Sequence, residues 1–416
     1  MLSVRHCKAQ QLETAYAQCL VSLLACLERF SLSLNAFSSH VPHLEQVNPP
    51  LWEFGHVAWF TEHWVLRNPG RALGRGLKDP NLRASMRPSL LPEADALFDS
   101  ATIPHGDRWQ LEQLGRSGIE HYLSKTFKEA IAILQLDATR EKALYFHRLS
   151  IAHTWMHLEA LEMTAQTLGF ERTESAEPMA LDVRDQAPLA IDAQALRASP
   201  DRDCFFFDNE FGGLEADIGA FEIDAQPVSL GAFWAFVDDG GYERESLWTD
   251  HGWAWKTRQA AAGPLHSRRQ GDLLLCRVGA QWALGDAAQP VCHVCLHEAQ
   301  AWCNWAGRQL PTEAQWMAAA SAGMRWGRVW EWTSSPFVPF SGFTAHPYEA
   351  YSEPWFGADH WVLKGACAQT HPMLRDRLFR NFYRPHRQDV FAGFRSVQAA
   401  VAGCATNSTK PPERLR

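Results

Sequence analysis

An uninterrupted helical stretch constrains this chain more than any other feature of its sequence. No glycine or proline occurs between Gly118 and Gly169, and the residues between them are rich in Ala, Leu, Glu and Met. Such a composition favours one or two long helices. His153 and His157 stand four residues apart near the end of this stretch. On a helix they lie one turn apart on the same face, where two imidazoles can bind one transition metal.

The carboxylate of Glu159 is the obvious third ligand, but helix geometry excludes it. Glu159 lies two residues beyond His157, so its side chain points roughly 140° away from the mean direction of the two histidines. The third ligand must therefore come from another part of the chain. Two histidines alone leave an alternative open, since a helix also buries hydrogen-bonded histidines that bind no metal.

The segment Pro49–Arg67, PPLWEFGHVAWFTEHWVLR, supplies two candidates for the third ligand. Its prolines stand at the start, where a helix tolerates them. His56 and His63 are seven residues apart and share a face. We expect His56 to be the ligand because Gly55 and Ala58 beside it are small. We expect His63 to face solvent or to lie behind the ligands.

Four helical segments before residue 170 predict a helical bundle. They are expected at 8–37, 49–67, 107–136 and 138–168, with a long loop at 68–93. Together they predict a four-helix bundle over residues 1–170. Bundle cores are common sites for metals.

The composition changes after this bundle, which predicts a two-domain α+β fold. A charged, proline-bearing linker is expected at 171–203. Residues 204–400 show short apolar runs, glycines and aromatic side chains, with one clear helix at 297–306. Residues 401–416 are expected to form a mobile tail.

The bulk composition excludes several classes of function. A formal net charge of -8 does not indicate a nucleic-acid-binding surface. No continuous apolar run approaches the roughly 20 residues that cross a bilayer, and the N-terminus lacks a signal-peptide pattern. We therefore expect a cytoplasmic protein without a membrane partner. Ten cysteines without small-domain spacing favour reduced thiols.

Both halves of the chain carry long motifs. The segments 206–242, 290–318, 327–334 and 391–397, with RQLPTEAQW and VWEWT among them, resemble the formylglycine-generating-enzyme/sulfatase-modifying fold, a C-type-lectin-like domain. In the first half, GHVAWFTE and HTWMHLE resemble the DinB-like four-helix bundle of the iron-dependent sulfoxide synthases of ergothioneine biosynthesis. The two halves in this order are typical of ergothioneine and ovothiol synthases and of their relative, selenoneine synthase.

This resemblance implies an enzyme with one non-haem Fe(II). The three histidine ligands of the family map onto His56, His153 and His157, in agreement with the exclusion of Glu159. In the family, O2 binds the iron, and a sulfur or selenium atom is joined to C2 of the imidazole of hercynine, the trimethylbetaine of histidine. Three imidazoles leave three positions of an octahedral ion open for these reactants.

The resemblance also implies roles for residues of the second half. In His346–Glu353, HPYEAYSE, Tyr348 corresponds to a proton or hydrogen donor near the metal, and Tyr351 to a substrate contact. The stretch RNFYR corresponds to a hercynine-binding segment of the family. It makes Arg380, Asn381 and Phe382 substrate contacts, since an aromatic face suits a quaternary ammonium group.

Several departures from the family pattern concern the chalcogen donor. Tyr383 stands where enzymes that use gamma-glutamylcysteine carry an acid, and Met156 stands where a glutamine is common. The arginine-bearing loop is also different and offers Arg83 and Arg87 as donor contacts. A selenosugar without a charged amino-acid end fits these changes better than cysteine or gamma-glutamylcysteine does. Sulfur transfer from such a thiol is the alternative.

The sequence argues against a zinc site, against formylglycine-generating activity and against a calcium site. Cys292 and Cys295 have the spacing of a zinc knuckle, but no second pair follows, which favours structural cysteines. The segment KGACAQT offers only Cys367, which argues against formylglycine-generating activity. Arg328 replaces an asparagine found near calcium in this fold, so no calcium is expected. A lectin-like binding protein without catalysis is the remaining alternative.

Overall fold

The computed structural model describes residues 3–37, 41–78, 82–111, 114–172, 187–357 and 359–399. The predicted mobile tail at 401–416 lies outside these residues. So does the central part of the predicted linker, residues 173–186.

The first half of the chain is helical. Its helices are α1 (Ala9–Phe37), α2 (Pro50–Thr61), α3 (Leu82–Ser85), α4 (Ala94–Phe98), α5 (Arg116–Asp137) and α6 (Leu144–Leu168). A π-helical turn, Glu62–Arg67, continues α2, and short 3-10 helices occur at Val4–His6, Arg71–Gly76 and His105–Trp109. The four predicted long helices are present, although α5 and α6 begin later than expected. Gly169 ends α6 in the left-handed conformation that a glycine adopts without strain.

The four long helices form one bundle, in which α2 and α6 pack against each other and α1 and α5 complete the core. By length and composition alone, the part of α1 from Ala9 to Leu34 could span a membrane, which the sequence analysis did not foresee. In the structure, Leu12, Tyr16 and Leu23 are buried on one face of this helix. That pattern is typical of a helix that packs into a protein core.

The second half combines short helices with small sheets. Its helices are α7 (Leu230–Asp238), α8 (Asp250–Gln259), α9 (Leu296–Ala306) and α10 (Glu313–Ser321). Its strands are β1 (Leu189–Ile191), β2 (Gln194–Ala198), β3 (Leu214–Ile218), β4 (Phe221–Ile223), β5 (Ser267–Gln270), β6 (Leu273–Val278), β7 (Gln281–Leu284), β8 (Trp330–Pro336), β9 (Trp361–Gly365), β10 (Asn381–Tyr383), β11 (Ala392–Phe394) and β12 (Val397–Ala399). Further 3-10 helices lie at Asp208–Glu210, Glu245–Leu247, Glu349–Tyr351, Glu353–Trp355 and Pro372–Leu374. Of these helices, α9 is the one that was predicted from the sequence.

The strands form four small sheets, and the predicted α+β class is confirmed. The strand orders are β1-β4-β12, β10-β9-β8-β11, β2-β3 and β5-β6-β7. In the four-stranded sheet, β8 and β11 are parallel while the other pairs are antiparallel. This sheet carries two of the motifs identified in the sequence, VWEWT on β8 and RNFYR at β10.

The two halves share one apolar core. It includes Trp155 and Met163 from α6 together with Trp330 and Phe379 from the second half. The side chains of α6 therefore pack on the bundle along one face and on the second half along another. This position explains why α6 is almost wholly buried and why its charged residues need partners from both halves.

Candidate metal centre and adjacent cavities

Helices α2 and α6 bring three histidines together. One possible ligand atom from each of His56, His153 and His157 lies within 4.8 Å of the others. The ring centroids of His153 and His157 are 4.3 Å apart, and His56 lies 5.1 Å and 4.9 Å from them. The side chains that the sequence analysis placed at one site therefore meet at one point, and no other group of this kind occurs among the described residues.

A backbone carbonyl orients the ring of His56. The Nδ1 atom of His56 lies 2.8 Å from the carbonyl oxygen of Phe98. Because a carbonyl oxygen only accepts, Nδ1 carries the proton and Nε2 is left with a lone pair for a metal. Gly55 permits this contact, since a Cβ atom at this position would overlap the ring of Phe98. The small residue thus makes room for Phe98 rather than for an ion.

A buried carboxylate orients the ring of His157. The Nδ1 atom of His157 lies 3.0 Å from Oε1 of Glu53, and Asn48 donates to the other carboxylate oxygen at 3.3 Å. Only 2% of Glu53 is exposed. A carboxylate behind a histidine holds the ring and raises its basicity as a ligand. His157 is thus prepared for metal binding through Nε2.

Aromatic packing positions the third histidine. The ring of His153 stacks on Phe60 with a centroid distance of 3.5 Å and an interplanar angle of 5°. Its Nδ1 atom is buried and has no hydrogen-bond partner among the described residues. Buried polar atoms are normally paired, so this nitrogen indicates a site that a further group completes.

The electrostatic environment keeps two of the three rings neutral. Burial lowers the pKa of His56 and of His153 well below the usual histidine value, and the neighbouring His157 lowers both further. A metal binds the neutral imidazole, so protons do not compete for these ligands at neutral pH. Three imidazole ligands fit a divalent first-row transition ion, including Fe(II).

Glu159 points away from the histidines, as its position on the helix predicted. Its carboxylate accepts hydrogen bonds of 2.6 Å from Nε1 of Trp330 and from the hydroxyl of Thr370. Burial raises the pKa of Glu159, and these two hydrogen bonds oppose the rise. Glu159 therefore connects α6 to the second half and is not part of the histidine group.

A cavity of about 170 Å³ opens beside His157 between the two halves. We call it the histidine cavity. Its walls include Met156, Asn381 and Tyr383, three of the residues predicted to contact substrate. The other lining residues are His157, Glu159, Ala160, Met163, Trp330, Thr370, Leu374 and Phe379.

Strand geometry separates Phe382 from its two neighbours. Side chains alternate along a strand, so Asn381 and Tyr383 share one face of β10 and Phe382 lies on the other. Phe382 stacks on Phe337 with a centroid distance of 4.0 Å and an angle of 10°. The structure therefore does not bring Phe382 to the histidine cavity, in contrast to the expectation from the sequence.

Arg380 is also kept away from this cavity. Its guanidinium contacts the carboxylate of Glu313 at 3.0 Å and 3.1 Å and donates to the carbonyl oxygens of Asn209 and Val338. The side chain is buried, and these bonds occupy its nitrogens. The structure therefore does not bring Arg380 to the histidine cavity, in contrast to the expectation of a substrate contact, because its guanidinium is bound to other parts of the protein.

Tyr348 lies close to the histidines. Its ring is 4.9 Å from that of Phe60 and 6.3 Å from that of His153, measured between centroids. Burial raises the pKa of its hydroxyl to about 12, and Asp99 and Asp208 contribute to the rise. Tyr351 packs at 4.5 Å on Phe207 and lies 5.9 Å from Tyr348. It is a neighbour of Tyr348 rather than of the histidines.

The two candidate arginines occupy different surroundings. Arg87 is exposed, and its backbone N–H and carbonyl are hydrogen-bonded to Arg67. Arg83 forms a 2.6 Å ion pair with the buried Asp99 and borders a second cavity of about 610 Å³, next to Tyr348. The structure thus brings Arg83, and not Arg87, near the predicted proton donor.

The groups that orient the histidine rings were not predicted from the sequence. The acceptor for His56 is the backbone carbonyl of Phe98, and every residue has such a carbonyl, so no residue type could indicate it. The acceptor for His157 could have been found, because Glu53 is a carboxylate in the otherwise apolar start of α2. Such a residue is expected to have a buried partner.

Fold and site together define a helical bundle with a three-histidine centre joined to an α+β domain. Residues 197–327 match the family model "Sulfatase-modifying factor enzyme 1-like domain", which confirms the predicted fold of the second half. Hercynine oxygenase of Mycobacterium tuberculosis is 28% identical over 84% of this chain and 90% of its own. That of Mycolicibacterium smegmatis has the same identity and coverages.

Other similarities cover only part of the chain. Formylglycine-generating enzyme of Bos taurus is 28% identical over 30% of this chain and 36% of its own. The solved structure of PvdO from Pseudomonas aeruginosa aligns with 50% of this chain and with 93% of its own. The two are 14% identical, with a TM-score of 0.35. The two hercynine oxygenases, in contrast, each match 84% of this chain.

Proposed function

We propose that this protein is an Fe(II)- and O2-dependent oxidoreductase that joins selenium from a selenosugar to C2 of the imidazole of hercynine. The carbon–selenium bond replaces the C2–H bond and the Se–H bond of the donor, which releases two electrons, and the selenium gives up two more. These four electrons reduce O2, so that one oxygen atom stays on selenium as a selenoxide and the other leaves as water. The observation that carries the proposal is the meeting of His56, His153 and His157 beside a cavity between the two halves. Similarity to hercynine oxygenases over 84% of the chain supports the choice of hercynine.

The protein's own residues would hold the metal and prepare its ligands. His56, His153 and His157 would bind the iron, while Phe98 and Glu53 keep the protons of two rings on Nδ1. When bound, Fe(II) supplies the ability to activate O2 and to bind a chalcogen atom. Rings held in place before binding lower the cost of ordering the site.

The histidine cavity has the chemistry that a betaine requires. Aromatic faces of Trp330, Phe379 and Tyr383 line it, and Glu159 is its carboxylate. A quaternary ammonium group is attracted to aromatic faces and to negative charge. Asn381 offers an amide to the carboxylate of hercynine. These features support binding of hercynine with its imidazole toward His157.

Tyr348 is the residue that we propose as the proton donor. With a pKa of about 12, its hydroxyl keeps its proton at neutral pH. Its ring lies against Phe60 and near His153, which places it at the edge of the centre. A positioned phenol of this kind can give up a proton or a hydrogen atom to a reacting group.

The choice of a selenosugar as the donor depends on Tyr383, which the second half of the chain contributes to the histidine cavity. Tyr383 lines the histidine cavity at the position where amino-thiol enzymes of the resembled family carry an acid. A phenol does not pair with an ammonium group as a carboxylate does. A donor without an amino-acid end therefore fits this wall best.

Sulfur transfer from cysteine or gamma-glutamylcysteine is the second candidate, and Arg83 favours it. Its guanidinium borders the second cavity and could pair with the carboxylate of such a thiol. Arg83 already has a partner in Asp99, which reduces its charge toward a ligand. We therefore place this candidate second.

Product analysis distinguishes these functions. Purified protein is incubated with hercynine, Fe(II) and O2, and with either a selenosugar, cysteine or gamma-glutamylcysteine. We expect a mass with one selenium joined to hercynine, and no product from the His153→Ala variant. A sulfoxide from either thiol as the main product would establish the second candidate. Absence of any product, together with absence of histidine-dependent Fe(II) binding, would favour a non-catalytic binding protein.

A further inference from the structure

The second cavity, of about 610 Å³, has Tyr348 among its lining residues. We call it the π-turn cavity because its inner wall is formed at the junction of α2 with the π-helical turn. Trp59, His63 and Trp64 form this wall, and Arg83 and Asp99 stand opposite them. The cavity is large enough for a small organic molecule.

His63 is the unusual residue of this wall. Only 5% of it is exposed, and its Nδ1 atom has no hydrogen-bond partner among the described residues. The rings of Trp59 and Trp64 lie on either side of it, each at 4.9 Å. A buried nitrogen without a partner, at the surface of a cavity, indicates a group that binds there.

The π-helical turn holds His63 in this place. Such turns are rare and occur frequently at functional sites. Glu62 anchors the turn, since its carboxylate accepts a 2.5 Å hydrogen bond from Tyr122 and further bonds from Ser89 and the backbone of Leu90. His63 is therefore presented to the cavity by a fixed backbone rather than by a mobile loop.

The chemistry of this wall suits hydroxyl groups. Burial and the nearby Arg83 and Arg67 lower the pKa of His63 to about 4, so its ring is neutral near pH 7 and has one donor and one acceptor. A hydroxyl group likewise donates and accepts. Asp99 adds an acceptor, Arg83 adds donors, and the indole rings offer flat apolar surface to the C–H groups of a sugar.

The two cavities differ in their charged groups. Among the described residues that line the histidine cavity, Glu159 supplies an acidic group and there is no lysine or arginine, which suits a cationic ligand. Lys78, Arg83, Asp99 and Glu349 line the π-turn cavity, so its two basic and two acidic side chains balance and favour a ligand without net charge. The two cavities thus suit two different substrates, one cationic and one uncharged.

We propose that the π-turn cavity binds the hydroxyl-rich carrier group of the chalcogen donor, and that His63 recognises it by hydrogen bonding. This inference rests on the proposed function, which requires a second substrate beside hercynine. His63 is then a specificity-determining residue without contact to the metal. A thiol with a small amino-acid carrier would use this contact much less.

The test measures binding rather than turnover. Protein loaded with Co(II), and metal-free protein in parallel, are titrated anaerobically with 1-thio-β-D-glucose and with cysteine by calorimetry. Replacing His63 by phenylalanine removes both ring nitrogens while keeping the aromatic volume. We expect the Kd of 1-thio-β-D-glucose to rise about tenfold, the usual effect of losing one buried hydrogen bond. The Kd of cysteine should change less than twofold.

Two further variants control for structure. His63→Gln keeps a donor and an acceptor and should retain 1-thio-β-D-glucose binding within about threefold. His121→Phe makes the same substitution at an exposed position of α5 and should behave as the wild type. Should His63→Phe fail to fold, the comparison between His63→Gln and a His63→Leu variant replaces it.

The outcomes separate this inference from the proposed function. Unchanged binding of 1-thio-β-D-glucose to His63→Phe, or an equal loss for cysteine, would overturn the role of His63. Lack of 1-thio-β-D-glucose binding to the wild type would also overturn it, while Co(II) and hercynine binding would leave the hercynine chemistry standing. If Co(II) does not bind, the proposed function fails, and the titrations of metal-free protein still decide what the cavity binds.

Discussion

Single residues behind the three histidines determine whether these rings can serve as ligands. The carbonyl oxygen of Phe98 and the carboxylate of Glu53 each accept a hydrogen bond from Nδ1 of one ring, so the opposite nitrogen is available to a metal. His153 has stacking with Phe60 in place of such a hydrogen bond. The three ligands are therefore held by three different interactions. Of these, the hydrogen bond to the carboxylate of Glu53 is the one that a substitution can remove without changing an aromatic side chain.

We predict that Glu53→Ala lowers the affinity for Fe(II) by about 10- to 100-fold, the usual effect of removing a group that orients a metal-bound histidine. Glu53→Gln should lose less, because its amide oxygen can still accept from His157. Anaerobic Fe(II) titration measures both. Glu13→Ala, at an exposed position of α1, is the matched control. Wild-type affinity in Glu53→Ala would contradict this role.

Secondary-structure elements decide which residues reach the site. One turn of α6 presents His153 and His157, and the same helix directs Glu159 to Trp330 and Thr370. On β10 the alternation of side chains separates Phe382 from its neighbours. The helix α6 was predicted from the sequence, so its periodicity correctly excluded Glu159 from the histidine group. The strand β10 was not predicted, so Phe382 was grouped with Asn381 although its side chain lies on the other face.

The packing of α2 on α4 makes Gly55 a sensitive position. A Cβ atom there would overlap the ring of Phe98. We predict that Gly55→Ala lowers the free energy of unfolding by about 1–3 kcal/mol, the usual cost of overpacking a core. It should also weaken Fe(II) binding, since Phe98 must move away from His56. Urea unfolding and Fe(II) titration measure the two effects.

Gly219→Ala is the control for this substitution. A Cβ atom at Gly219 meets no atom within 4 Å, so its unfolding free energy should stay close to that of the wild type. If Gly55→Ala were as stable as Gly219→Ala, the close approach of Phe98 would not be a constraint on the fold.

The whole molecule is held together by contacts that join distant parts of the chain. Arg5, in the first turn of the protein, forms a two-pronged ion pair with the buried Glu210 at 2.6 Å and 2.8 Å and contacts Asp376 at 2.6 Å. Gln166 near the end of α6 donates to the backbone of Arg277 at 2.8 Å. These bonds attach both ends of the bundle to the second half, so the two halves are expected to unfold together.

We predict that Arg5→Met lowers the free energy of unfolding by about 3–5 kcal/mol, because it leaves the charge of Glu210 buried without its partner. Lys8→Met provides the contrast. The ion pair of Lys8 with Glu141 is exposed, and such pairs contribute little. Urea unfolding of both variants measures the difference, and equal stability of the two would show that the Arg5 pair does not join the halves.

Much of the site was predictable because it depends on local spacing. The predicted iron ligands His56, His153 and His157 do meet, and Met156, Asn381 and Tyr383 line the cavity beside them. Arg380 and Phe382 were placed wrongly, since an arginine's partners and a strand's facing depend on the rest of the sheet. The π-turn cavity had no local signal in the sequence, because its walls come from four separate segments.

The amino-acid sequence by itself determined the helical half, the pairing of two histidines on one face and the exclusion of Glu159, because each follows from the regular rotation of a helix. Only the tertiary structure decided whether His56 or His63 joins them, what holds each ring and where the two cavities open. Those features depend on contacts between residues far apart in the chain. Such contacts are set by how the helices and sheets pack on one another, and no local pattern records them.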